Sequence, residues 1–238
     1  MAIGGNLALL EKKIDYEFND VKLLEVALTH SSYSNEKKNQ GIFVDSNERL
    51  EFLGDAVLEI VISEYLFSFY KNYSEGVLTK MRQHLVCEKT LAKIAIELSI
   101  GEHINLGRGE EQTDCRRRPK ILADAVEALF GAIYLDSRND SEKSYEKVII
   151  KLFSSEIREA FNMQHGDSKT LLQQIVDKDV FATLEYEVEH EDGPEHNKSF
   201  TVVCKVNNNV VGRGSAQTKK DAEMEAAKNA LSLFGVNI

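Results

Sequence analysis

The stretch Asn47-Glu-Arg-Leu-Glu-Phe-Leu-Gly-Asp-Ala-Val-Leu58 decides how the chain is read. At about 100° per residue, Glu48, Glu51 and Asp55 fall within a narrow arc of one helix face, whereas Leu50, Leu53, Val57 and Val61 fall on another. One helix therefore presents three acids together. A second stretch, Ile121-Leu-Ala-Asp-Ala-Val-Glu-Ala-Leu-Phe-Gly-Ala-Ile-Tyr-Leu135, is almost wholly apolar apart from Asp124 and Glu127, three residues apart and on one face. Acids in an apolar helix are costly to bury unless something compensates them, and a divalent cation shared between the two helices would do so. The bland reading of an isolated acid pair is a solvated face. The serious alternative here is a structural salt bridge from Arg49 or Lys120. Oxygen donors with no histidine nearby favour Mg²⁺, or Mn²⁺ in its place, over zinc, and a pair of such ions ~4 Å apart suits phosphodiester hydrolysis. Gly54 and Gly131 interrupt the same two helices. Glycine costs a helix ~1 kcal/mol relative to alanine, so close approach of the two helices is the expected reason for both.

Outward from these blocks, helical periodicity returns from Tyr16 to Phe161, as in Leu23, Leu24, Ala27, Leu28 and again in Leu91, Ile94, Ala95, Leu98. The pattern lapses around Asn162-Met-Gln-His-Gly166 and then changes. A short helical stretch, Thr170 to Val176, precedes three alternating runs beginning at Leu184, Phe200 and Val210, and a last helix covers Lys219 to Phe234. Asn207-Asn-Asn209 supplies residues that tolerate the left-handed conformations of a tight hairpin. The expected fold class is an all-α catalytic domain over residues 1–161, a linker at 162–166, and a small α+β domain of order α-β-β-β-α at 167–238.

The chain has 238 residues, 42% of them hydrophobic, enough to bury a real core. No apolar run approaches the ~20 residues of a membrane helix, and Met1-Ala-Ile-Gly-Gly5 lacks the basic-then-apolar pattern of a secretion signal, so a cytoplasmic protein without membrane partners is expected. Cys87, Cys115 and Cys204 are odd in number and far apart, which argues against disulfides and zinc clusters. A net charge of −10 speaks against a nucleic-acid partner as a global argument. Carboxylates gathered to hold metals lower net charge while letting the metals meet phosphate, so placement decides.

The block Asn47 to Leu58 resembles the signature of the ribonuclease III family, the double-strand-specific endoribonucleases, in its bacterial form. Leu122 to Asp136 resembles the family's second acidic block, and Thr29-His-Ser-Ser-Tyr33 a third, upstream motif. The resemblance implies that Glu51, Asp55, Asp124 and Glu127 ligate catalytic Mg²⁺, with Glu48 an auxiliary acid and no small-molecule cofactor. It also implies a homodimer in which each subunit cuts one strand, leaving 5′-phosphates and short 3′ overhangs, with ribosomal-RNA precursors and messenger RNAs as substrates. Phe52 would serve the dimer contact, against a plain reading as core packing. His30 beside Ser31 and Ser32 lacks an orienting acid and reads as a structural histidine near a helix end. Arg116, Arg117, Arg118 and Lys120 form the densest basic cluster, either a solvated turn or a grip on a phosphate backbone.

The C-terminal order resembles the double-stranded-RNA-binding domain, carried by Gly193-Pro-Glu-His-Asn-Lys-Ser-Phe200 and Thr218-Lys-Lys-Asp-Ala-Glu-Met-Glu-Ala-Ala227. Thr218 can cap the last helix, placing Lys219 and Lys220 at its positive end, which suits phosphate across the RNA major groove. Thr170, Gln173 and Gln174 share a helix face that can meet 2′-hydroxyls, and His196 can reach a second minor groove. The plain reading of both sets is solvation. The sequence departs from the family at Ser168, where an aromatic is usual, and at Ala216-Gln217, often Gly-Arg. From Asp167 onward eight positive residues face twelve negative ones, so modest, salt-sensitive affinity is expected. Two rivals stand beside the nuclease: a binding-only protein of the same fold, and an all-helical Mg²⁺-dependent nucleotide pyrophosphohydrolase, against which the C-terminal motifs argue.

Overall fold

The computed structural model describes residues 7–71, 73–140, 142, 144–165, 168–177, 182–193 and 198–236. The chain divides into two compact units, Met1–Arg158 and Glu159–Ile238. In the first, all regular structure among the described residues is helical: α1 (Leu7–Ile14), α2 (Val21–Ala27), α3 (Ser31–Asn39), α4 (Glu48–Phe69), α5 (Glu75–Leu85), α6 (Glu88–Glu97), α7 (Arg108–Gln112), α8 (Pro119–Ser137), α9 (Ser144–Leu152) and the start of α10 (Ser154–His165). The division falls inside α10, so Asn162–His165, expected as linker, continue a helix.

The centre of this unit is α8, packed against α2, α4, α6 and α9. Its apolar sequence has its reason in burial on nearly every side: Ala125, Val126, Ala128, Leu129, Phe130, Ala132 and Ile133 have no accessible surface. Pro119 begins it, where a missing N–H costs nothing. Helix α4 lays Leu50, Val57, Leu58, Val61, Ile62 and Leu66 against the core. Where α4 and α8 cross, backbone meets backbone: a Cβ at Gly54 would collide with the Glu127 carbonyl, and one at Gly131 with the Leu50 carbonyl. The two helix glycines are therefore the point of closest approach.

Helix α1 lies upstream of the periodicity that the sequence displays from Tyr16; its signal is the pair Leu10 and Ile14, both fully buried. Asp136, at the far end of α8, fastens the following segment. Its carboxylate accepts from the Tyr16 hydroxyl at 2.7 Å and from the Asn19 and Asp20 amides at 2.9 Å each.

The second unit carries the order α-β-β-β-α: α11 (Ser168–Val176), β1 (Leu184–Asp192), β2 (Ser199–Val206), β3 (Asn209–Ala216) and α12 (Lys219–Leu233). The strands form one antiparallel sheet in the order β1-β2-β3. Asn207 and Asn208 both take positive φ, 50° and 65°, as a two-residue hairpin turn demands. Helix α11 packs against α12, and α12 packs on β2 and β3. There Ala222, Ala226 and Ala230 of α12 sit on Gly212 and Gly214 of β3, too close for any Cβ on the strand.

Candidate functional site

The α4–α8 crossing sets the acids opposite one another. Carboxylate oxygens of Glu51, Asp124 and Glu127 come within 4.8 Å of each other, and all three residues are half-buried. Asp55 and Glu48 are exposed and stand outside this trio. Both still act on it. Burial first, then the charges of Asp55, Asp124 and Glu51, push the Glu127 carboxyl up to about 7. Burial, Asp124, Glu48 and Asp55 raise Glu51 as well. Such mutual repulsion is the electrostatic condition that a divalent cation relieves, and an all-carboxylate donor set suits a hard ion.

The salt-bridge alternative is present in part. Lys120 lies 3.2 Å from Asp124 Oδ1, one turn earlier on α8, and that hydrogen bond holds its ammonium above the usual lysine range. One exposed ammonium set against three carboxylates leaves the cluster in deficit. Arg49 makes no ion pair among the described residues.

The upstream motif positions α4. Thr29 donates its hydroxyl to Glu25 O and accepts the Asn47 amide at 2.8 Å, while Asn47 O accepts the Glu51 amide at 2.8 Å. His30 caps α3: its Nδ1 accepts the Ser32 amide at 3.2 Å and lies 2.8 Å from Ser32 Oγ, which in turn accepts from the Gly107 amide. With no carboxylate orienting it among the described residues, His30 is a structural histidine, as its setting in the sequence suggests.

The basic cluster divides. Arg116 is consumed internally, donating to Gly101 O at 2.9 Å, to Ile104 O at 2.6 Å and twice to Glu111 at 2.7 and 2.6 Å. Arg117, Arg118 and Lys120 are exposed. Arg116→Ala should therefore lower stability by about 1–3 kcal/mol, because two buried-side carbonyls lose their donor, and leave the salt dependence of duplex binding unchanged. Thermal unfolding beside binding titrations checks this; a flatter salt slope at unchanged melting temperature would reverse the assignment.

In the second unit, Thr218 caps α12 by accepting the Asp221 amide at 3.1 Å, and Lys219 and Lys220 lie exposed in its first turn. Lys220 makes no ion pair among the described residues, whereas Lys219 does, with Glu191. Gln173 is exposed on α11 and donates to Asp177 at 2.7 Å. His196 lies outside the described residues, as do the side chains of Thr170 and Gln174. What sequence reasoning missed is the comb of glutamates along β1. Glu185, Glu187, Glu189 and Glu191 are all exposed; Glu187 pairs with Lys205, Glu189 with Arg213, and Glu191 with both Lys198 and Lys219. The alternation is visible in Leu184-Glu-Tyr-Glu-Val-Glu; the cations it captures come from other elements.

An all-helical unit with a carboxylate cluster, followed by an α-β-β-β-α unit with a basic helix start, defines a nuclease-type core coupled to an RNA-reading module. Residues 20–154 match the Ribonuclease-III-like family and residues 168–233 the double-stranded RNA binding motif. Curated relatives named Ribonuclease 3 include those of Natranaerobius thermophilus, 46% identical over 92% of either chain, and Clostridium tetani, 45% identical over 96% of this chain and 94% of that one. The solved nuclease domain of the ribonuclease III of Campylobacter jejuni, described with flexibility in a region involved in dimer formation, is 40% identical. It covers 63% of this chain and 98% of its own with a TM-score of 0.56. The chain belongs to the ribonuclease III family. Among the described residues no helix is long and apolar enough to cross a membrane.

Proposed function

We propose that this protein is a cytoplasmic, Mg²⁺-dependent endoribonuclease that hydrolyses phosphodiesters in both strands of double-stranded RNA. The products are 5′-phosphates and short 3′ overhangs, and the substrates are ribosomal-RNA precursors and messenger RNAs. The observation that carries the reading is the convergence of Glu51, Asp124 and Glu127 from two helices, in a family whose relatives carry the ribonuclease name. These three, with Asp55, would hold Mg²⁺ or Mn²⁺, and Glu48 would act from the rim. A divalent cation bound there supplies Lewis acidity toward the scissile phosphate. The chain itself fixes the acids through the glycine contact, anchors α4 through Asn47, and sets Lys120 where it shares Asp124. Residues 1–161 would carry the chemistry. Residues 167–238 would hold the duplex through Thr170, Gln173, Gln174, His196, Lys219 and Lys220.

The homodimer is supported by α4. Phe52 is 81% exposed, so core packing within its own chain is not its role, and Ile60 and Phe67 continue the same apolar stripe. An exposed stripe of this kind on a long helix suits a second copy.

Incubation with duplex RNA, duplex DNA and single-stranded RNA, each with Mg²⁺ or Ca²⁺, tests the reading. Cleavage of duplex RNA alone, in Mg²⁺ alone, is expected. Binding without cleavage in every metal would favour the binding-only protein.

A further inference from the structure

Lys219 does not stand free at the start of α12. Its ammonium lies 2.9 Å from Glu191 Oε1 and 5.3 Å over the Phe200 ring, and the other Glu191 oxygen lies 3.4 Å from Lys198. Glu191 and Phe200 are register partners across β1 and β2, so the sheet ladder itself carries the carboxylate to the lysine. The side chains of Lys219 and Glu191 are 55% and 38% accessible, so an incoming phosphate can reach the same ammonium.

We propose that Glu191 is an internal competitor for RNA phosphate at Lys219, and that it sets both the affinity and the salt response of duplex binding. This rests on the reading of Lys219 as a phosphate contact. Carboxylate and phosphate are both oxyanions seeking the same N–H donors. A phosphate arriving at Lys219 either displaces Glu191 or sits beside its charge at a repulsive distance. A free lysine that neutralises one phosphate releases somewhat less than one counterion from the nucleic acid. At Lys219 the displaced carboxylate recruits a solvent cation in return, so the contact adds little to the salt slope. Glu191→Gln keeps the shape and removes the competing charge.

The test uses the full chain, binding a duplex RNA in EDTA, where no cleavage occurs, across a salt series. Glu191→Gln should bind roughly two- to fivefold tighter at low salt, the scale of an exposed ion pair. Its plot of log affinity against log salt should steepen by a little under one. Glu191→Ala should do the same, which guards against an effect peculiar to the amide. Glu185→Gln makes the same charge change on the same strand, at a residue with no ion pair among the described residues, and should move binding much less. In a Lys219→Ala background the gain from Glu191→Gln should vanish.

Unchanged or weaker binding by both Glu191 variants would overturn the proposal, as would an equal gain from Glu185→Gln, which would be a net-charge effect. If Lys219→Ala alone leaves affinity untouched, the fault lies instead with Lys219 as an RNA contact.

Discussion

Glu127→Gln should reduce cleavage by at least about a hundredfold, the scale seen when one charge-stabilising group is removed from an active site, and should at the same time stabilise the metal-free protein above neutral pH. The two effects share one cause. Burial and three neighbouring acids raise the Glu127 carboxyl to about 7 in the folded chain, above its ordinary value of 4.5. A group whose folded value is raised favours the native state while protonated. That contribution is fully present below about pH 4.5 and is lost as pH climbs through about 7. In EDTA the melting temperature of the wild type should therefore fall across this window, and that of the variant should fall less. Discounted for partial exposure, the difference is about 1 kcal/mol, or roughly 2–4 °C. Added Mg²⁺ should raise the wild-type melting temperature, since a ligand of the native state stabilises it, and should do so less in the variant. Turnover at the wild-type rate, or superimposable pH profiles, would remove Glu127 from the metal site.

Gly131→Ala should cost more stability than any surface change considered above. The added Cβ would collide with the carbonyl of Leu50, an atom held inside the turns of α4, and no rotamer can take up the conflict. Relief requires the two helices to separate. Overpacking of this kind costs about 3 kcal/mol, or roughly 6–12 °C in melting temperature for a chain of this size. The same separation pulls Glu51 and Asp55 away from Asp124 and Glu127, so whatever folds at low temperature should require more metal for the same rate. Calorimetry paired with a Mg²⁺ titration of activity measures both. A variant with native stability would mean that the helices can part without loss and that the glycines are incidental.

Much of this was legible beforehand because the relevant physics is local. Helical periodicity, two acidic blocks and two helix glycines sit in short windows, and so do the asparagine turn and the Thr218 cap. Assemblies that join distant segments were not legible. Nothing near Arg116 announces that it is occupied by the carbonyls of Gly101 and Ile104, and nothing in the Thr29 motif reveals that its carbonyl anchors Asn47. The end of the helical domain was obscured for another reason: Asn162–His165 lack an apolar stripe yet continue α10, whose first turns are fixed by packing of Ile157 and Ala160. Likewise Lys219 reads as a free cation in a motif, and only strand register reveals Glu191 beside it.

The glutamates of β1 carry a second consequence, concerning self-association. In a three-stranded sheet ordered β1-β2-β3, β1 is an edge, and among the described residues no strand pairs with its outer side. Two copies aligned edge to edge along β1 would bring the alternating glutamates of one strand against those of the other, and like charges facing across strands are destabilising. The irregularity between Val188 and His190 further breaks the straight ladder that a second strand would need. The acidity that tempers this unit's hold on RNA thus also keeps the β1 edge from templating an aggregate.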